Sequence, residues 1–385
     1  METLRKVNLL LGGEREKWDD PNEVITLEPK IINGNFNKYH RQGRCEEALD
    51  CYNRIILLSP NNVLAYFSKG IVLLDMNESE KAIECFDETI RMNPNFTNVY
   101  YTKGQTLKLM GKTEEAMDCF NKAVSLEPNC FEALQYKGLA LNEMGKYEEG
   151  LECSEKAISL KPDNADAYLD KAYALFKLGK NEEAVDGYDE AIRLKPNFID
   201  AYDNKANVLR KMGKHEEAVG CIDKSISLDP YYPPAYFNKG EVLNEMGKYE
   251  EAIDFFDKAL SFDRNYIDAH FEKGNALFNL EKNEKALDCY DKVIKLNPDS
   301  PSAPGAYFNK GSVLHKTGKL EEAIGCYEKA ISLNPNYSEA YFEKGRVLDK
   351  MEKSEEAKEC YDKAMELNPM LLKDNEAKII GLKLE

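Results

Sequence analysis

Motifs of reactive chemistry are missing from this chain. Its 385 residues include 4 histidines and 1 tryptophan, with no Cys-x-x-Cys pair, no His-Glu-x-x-His and no glycine-rich phosphate loop. Without a nucleophile beside a base, or ligands at metal spacing, the sequence points away from an enzyme and from any bound metal or cofactor. No apolar run approaches the roughly 18–20 residues that cross a bilayer. The Leu9–Leu11 cluster behind Arg5 and Lys6 is too short for a signal peptide, so a cytoplasmic location is the expectation. Basic residues are in deficit, 52 against 69 acidic, for a net charge of −17 and a pI near 5.0. That balance argues against nucleic acid or an anionic membrane as the main partner. It leaves basic or neutral polypeptides.

What the chain does have is a period. Pro60, Pro94, Pro128, Pro162, Pro196 and Pro230 stand 34 residues apart, as do Pro335 and Pro369. Arg264 holds the place of a proline midway between Pro230 and Pro298, and only the step from Pro298 to Pro335 is longer, by three residues. The surplus falls in a predicted loop, Asp299–Gly305. A tolerated surface insertion is the favoured account of it, and a local change in superhelical pitch is the sharper one. A fixed period of this length means stacked units, which present an extended surface rather than a central cavity.

One unit runs from Pro233 to Arg264. Tyr236, Gly240 and Leu243 share one helix face, and Ala252, Phe256 and Ala259 share the face of a second helix. Gly247 between them suits the left-handed position that ends a helix. Gly43, Gly111, Gly145, Gly179, Gly213 and Gly318 recur there, with Asn77 once and Glu281 and Glu352 as weaker occupants. Small residues recur where the two helices must touch, such as Gly240 and Ala252. Helices of roughly 14 residues are marginal alone in water, so stacking must hold them.

The pattern aromatic, Gly, Leu, then Ala, aromatic, Pro, read here at Tyr236, Gly240, Leu243, Ala252 and Phe256, resembles that of the tetratricopeptide repeat family. The resemblance covers residues 29–369 as ten units. It implies an all-α, right-handed superhelical solenoid, with Leu371–Leu384, in the segment 370–385, as a C-terminal capping helix. The first unit, Pro29–Asn62, departs from the pattern because Phe36 replaces the small residue. Gly150 and Ser154 are expected to weaken the second helix of the fourth unit. Residues 1–28, with Trp18, fit no unit.

Eight of the ten cysteines, Cys51 and Cys85 among them, recur in one slot, and equivalent positions one repeat apart lie beyond disulfide reach. They are expected to be reduced packing residues. The histidines His40, His215, His270 and His315 fall at three different slots, so they do not cluster. Acidic pairs such as Glu250-Glu251 open the second helices and complement the helix dipole. A lysine precedes the small residue of nine first helices, Lys69 and Lys239 among them. Its favoured reading is a stem packed along the helix with the ammonium in water; a phosphate ladder is the alternative.

The residue after each core tyrosine begins a second face of the first helix. In the resembling family this face lines a concave groove that holds extended peptides or partner helices. Phe237, Phe271, Phe308 and Phe342 form an apolar row on it. Beside them run Asn204, Asn238, Glu272, Asn309 and Glu343, and one turn on Asn207, Glu241, Asn275 and Arg346. Asparagine both donates and accepts, and aromatics supply contact area. The competing reading is that the phenylalanines pack against neighbouring repeats. The expected function is a non-enzymatic protein-interaction scaffold whose groove takes a peptide segment or partner helix mixing apolar and basic residues. The second reading is a recruiting or regulatory subunit of an enzyme complex acting in trans.

Overall fold

The computed structural model describes residues 45–370. The proposed segment 1–28, the first helix of the first unit and the capping helix Leu371–Leu384 lie outside the described residues. Every regular element among those described is an α-helix. They fall in two compact units, one ending at Gly179 and the other beginning at Lys180.

The first unit contains α1 (Cys45–Leu58), α2 (Val63–Asp75), α3 (Ser79–Met92), α4 (Thr97–Leu109), α5 (Thr113–Leu126), α6 (Phe131–Glu143), α7 (Tyr147–Leu160) and α8 (Ala165–Lys177). The second contains α9 (Asn181–Leu194), α10 (Ile199–Lys211), α11 (His215–Leu228), α12 (Pro233–Glu245), α13 (Tyr249–Phe262), α14 (Ile267–Asn279), α15 (Asn283–Leu296), α16 (Ala303–Lys316), α17 (Leu320–Leu333), α18 (Ser338–Lys350) and α19 (Ser354–Leu367). Within each unit every helix packs on the next, and first helices of successive hairpins also touch. Both units are therefore stretches of an all-α repeat solenoid.

The turns explain the spacing. Gly111, Gly145, Gly179, Gly213, Gly247 and Gly318 take φ between 73° and 81°, while Asn77, Glu281 and Glu352 are held at 59°, 59° and 62°. The next residue then donates back to the helix, as Lys248 N–H does to the Leu243 carbonyl at 2.9 Å, closing the free carbonyls. A left-handed conformation costs a side-chain-bearing residue about 1–2 kcal/mol. Glu352→Gly is therefore expected to stabilise the fold by roughly 0.5–1 kcal/mol after glycine's own entropy cost; an unchanged or lower urea midpoint would contradict this. At the other end of the hairpin an Asx turn recurs, as where Asp263 Oδ1 accepts from Asn265 N–H at 2.9 Å.

Within each unit the core lies between the paired helices of the hairpins. Phe86, Phe120, Phe256, Tyr290 and Tyr327 are fully buried, and the small residue of the first helix faces each ring. A Cβ on Gly240 would sit 2.5 Å from Phe256 Cε1. Where Ala206 replaces that glycine, the ring gives way to the smaller Ile222, and both are buried in one cluster. Despite Gly150 and Ser154, α7 spans 14 residues, as its equivalents do. Gly150 makes space for the buried Asn142 side chain, which a Cβ there would strike.

The lysine reading needs correcting. The ammonium groups do not simply reach water. Lys103 pairs with Asp87, Lys205 with Asp189, Lys239 with Asp223 and Lys273 with Asp257, each at 2.5 Å, and Lys171 with Glu155 at 3.0 Å. The acid comes from the second helix of the preceding hairpin, so each pair ties one repeat to the next. The three-residue surplus is only partly loop. α16 begins at Ala303, Ser300 is buried, and Ser302 Oγ donates to Asp268 Oδ1 at 2.8 Å.

Candidate functional site

The predicted face lies on α10, α12, α14, α16 and α18, all in the second unit. Its phenylalanines are placed by the rings beneath them. Phe237 lies 5.9 Å from Phe256 and 5.0 Å from Tyr266, Phe308 5.8 Å from Tyr327 and 5.0 Å from Tyr337, and Phe271 6.2 Å from Tyr290. Phe342 stands 5.6 Å from Tyr361 and is 5% exposed, whereas the other three are half-buried. The row is thus continuous with the core rather than made of free rings.

The polar residues divide into two kinds. Asn204 and Asn238 are half-buried and make no hydrogen bond with another described residue. Asn275 is engaged: its Oδ1 accepts from Tyr290 Oη at 2.9 Å and from Asn309 Nδ2 at 2.8 Å, and its Nδ2 donates to Glu272 at 3.3 Å. Tyrosine in the second-helix ring slot requires a partner for its hydroxyl, and the first-helix face supplies it. Asn207 Oδ1 accepts from Arg210 at 3.0 Å, and Arg346 pairs with Glu343 at 2.8 Å within α18.

One slot on this face escaped the sequence reading. Arg210, Asn244 and His315 sit one turn beyond the Asn207 and Glu241 row, and each reaches the following hairpin. Arg210 pairs with Glu245 at 2.5 Å and Glu241 at 3.6 Å, Asn244 Nδ2 donates to the Glu272 carbonyl at 3.4 Å, and His315 Nδ1 lies 3.8 Å from Glu343. In the first unit Asn142 Nδ2 makes the same link to the Asp170 carbonyl at 3.1 Å. The i, i+4, i+7 spacing was the available signal; the varied residue types hid it.

Electrostatically the face is acidic around α12 and α14. Burial pushes the Glu241 carboxyl up to about 7, Glu272, Glu245 and Asp268 add to that, and Arg210 opposes it. Burial also raises Glu272 and lifts Asp203 to about 6. Asp203 stands in the slot that carries phenylalanine in Phe237, with the Ser225 and Tyr232 hydroxyls beside it. These carboxyls are held in an environment that disfavours their charge unless a cation is added.

The histidines have no shared site. His270 Nε2 donates to the Arg264 carbonyl at 3.0 Å, the contact that the Tyr236 hydroxyl makes with Pro230 at 3.0 Å. It therefore stands in for a tyrosine. The ten cysteines are free thiols, and burial raises those in the repeated slot, such as Cys85 and Cys289. Among the described residues no group of His, Cys, Asp and Glu could hold a metal ion, and no helix is long and apolar enough to cross a membrane.

Helical hairpins of this geometry define a class of repeat solenoids. Tetratricopeptide repeat profiles match residues 97–130, 233–266, 267–300 and 304–337, and further ones match 51–84, 138–179, 172–212, 199–232 and 326–359. The chain belongs to the tetratricopeptide repeat family. A search of curated proteins found no match. Among solved structures, yeast Tom70 is similar at 14% identity over 92% of this chain and 96% of its own, with a TM-score of 0.51. A tetratricopeptide repeat protein from Parabacteroides merdae is 19% identical over 70% of this chain and 98% of its own, with a TM-score of 0.52. YrrB, described as a TPR protein with an unusual peptide-binding site, is 28% identical over 50% of this chain and 98% of its own, with a TM-score of 0.41. The first two likenesses are of fold. Repeats of this family make a protein-interaction scaffold.

Proposed function

We propose that the chain is a non-enzymatic, cytoplasmic scaffold that holds a peptide segment or partner helix against the first-helix face of its second unit. The ligand mixes basic and apolar residues. The observation that carries this reading is the pair Glu241 and Glu272, both largely buried and both pushed up by that burial, with Arg210 as the nearby cation. A lysine or arginine brought by a partner offsets their desolvation, and charge-assisted hydrogen bonds of this kind are about twice as strong as neutral ones. Asn204 and Asn238 supply donors and acceptors for a backbone, and the half-buried Phe237, Phe271 and Phe308 form an apolar floor.

The phenylalanines are poor targets for a test, because they brace the core rings. Glu241→Gln combined with Glu272→Gln keeps shape and removes charge. Selection of a phage-displayed random dodecapeptide library on the whole chain is expected to enrich sequences that combine Arg or Lys with Leu, Ile or Phe. Their affinity for the double variant is expected to fall at least tenfold, about 1.4 kcal/mol. Equal affinity for both proteins would refute this placement of the site.

A further inference from the structure

The ion-pair ladder between repeats is interrupted beside a cavity. Along both units the lysine before the small residue finds a carboxylate on the preceding second helix, as Lys103 does at Asp87 and Lys171 at Glu155. For Lys69 the corresponding residue is Asn53, and for Lys137 it is Asn121. Neither lysine has a carboxylate partner among the described residues. At the Lys69 junction a solvent-open cavity of about 270 Å³ lies between α1, α2 and α3.

Its lining is ordered by depth. Leu73 and Cys85 are buried, Leu49, Asn53 and Lys69 are half-buried, and Lys81 and Glu84 are exposed. Lys81 is held by Glu78 at 2.7 Å, which leaves Lys69 as the inner cation without an ion-pair partner among the described residues, with Glu84 exposed at the rim. The next junction carries Asp87 and Glu115 where this one carries Asn53 and Lys81. Two departures from the repeat pattern, both toward positive charge, therefore coincide with the opening.

We propose that this cavity binds a small monocarboxylate. The ligand's anionic head takes from Lys69 and the Asn53 amide what Lys103 takes from Asp87 one repeat later. Its apolar body lies on Leu49 and Leu73. Glu78 is balanced by Lys81, and Glu84 at the rim disfavours a second negative charge, which selects a carboxylate over a phosphate dianion. The site is on a different helix face from the proposed peptide surface and does not depend on it.

The test is isothermal titration of the full chain with hexanoate, hexan-1-ol and hexyl phosphate. Hexanoate is expected to bind with 1:1 stoichiometry in the millimolar range, at least tenfold tighter than hexan-1-ol and tighter than hexyl phosphate. Asn53→Asp supplies Lys69 with the internal carboxylate found at other junctions, so it is compatible with folding. It is expected to weaken hexanoate at least tenfold, as is Lys69→Met, whereas Lys137→Met leaves binding unchanged. No hexanoate binding, or binding unaltered in Asn53→Asp and Lys69→Met, would overturn the site. Hexyl phosphate binding as tightly as hexanoate would overturn the choice of a monocarboxylate.

Discussion

Asp170→Asn is expected to stabilise the protein at pH 8 by roughly 2–4 kcal/mol and to leave it nearly unchanged at pH 4. Asp170 is 8% exposed, and burial pushes its carboxyl from 3.8 up to about 7, with Asp166 and Glu143 adding to the rise and Lys108 opposing it. The folded state therefore holds the proton more tightly than the unfolded chain does. Below about pH 4 both states are protonated, and the group does not distinguish them. Between about pH 4 and 7 the folded state binds more protons, so its stability falls as pH rises and levels off above 7. Asparagine cannot ionise, and it occupies this slot naturally in Asn204, Asn238 and Asn309. Urea unfolding of both proteins from pH 4 to pH 8 reads the effect. Parallel profiles would show that Asp170 keeps an ordinary carboxyl.

The second large effect is at the helix contact. Gly240→Ala is expected to cost about 1–3 kcal/mol, because its methyl would lie 2.5 Å from Phe256 Cε1 and a buried ring has nowhere to retreat. The same chain carries a compatible pair in Ala206 and Ile222. Gly240→Ala with Phe256→Ile is therefore expected to cost less than the two single changes together, by at least 1 kcal/mol. Strict additivity of the three urea midpoints would mean that the two positions do not share one space. A loss confined to Phe256→Ile would place the constraint in the ring's contact with Phe237 instead.

The scaffold was legible in the sequence because its determinants are local and repeated. A glycine with positive φ, a small residue opposite a ring and a proline at the hairpin exit each act within a few residues, and the period multiplies the signal. The candidate face was legible only as a direction. Sequence spacing placed Phe237 and Phe308 on one side of a helix, yet not the depth at which Tyr266 and Tyr337 hold them. Asn275 read as a free ligand group, and its oxygen is engaged by Tyr290 and Asn309. The position of Arg210 was hidden because its equivalents include Asn244 and His315, which share a place and not a residue type.

By itself the sequence determined the helical hairpin, its length, its turn and its family, since each follows from backbone preference and apolar periodicity along one stretch of chain. Only the tertiary structure decided which polar groups remain available. Pairing between Lys103 and Asp87, burial of Asp170 and the opening beside Lys69 all arise where residues of successive hairpins meet. The Coulomb and desolvation terms that govern them depend on distance and depth, which residue order does not specify.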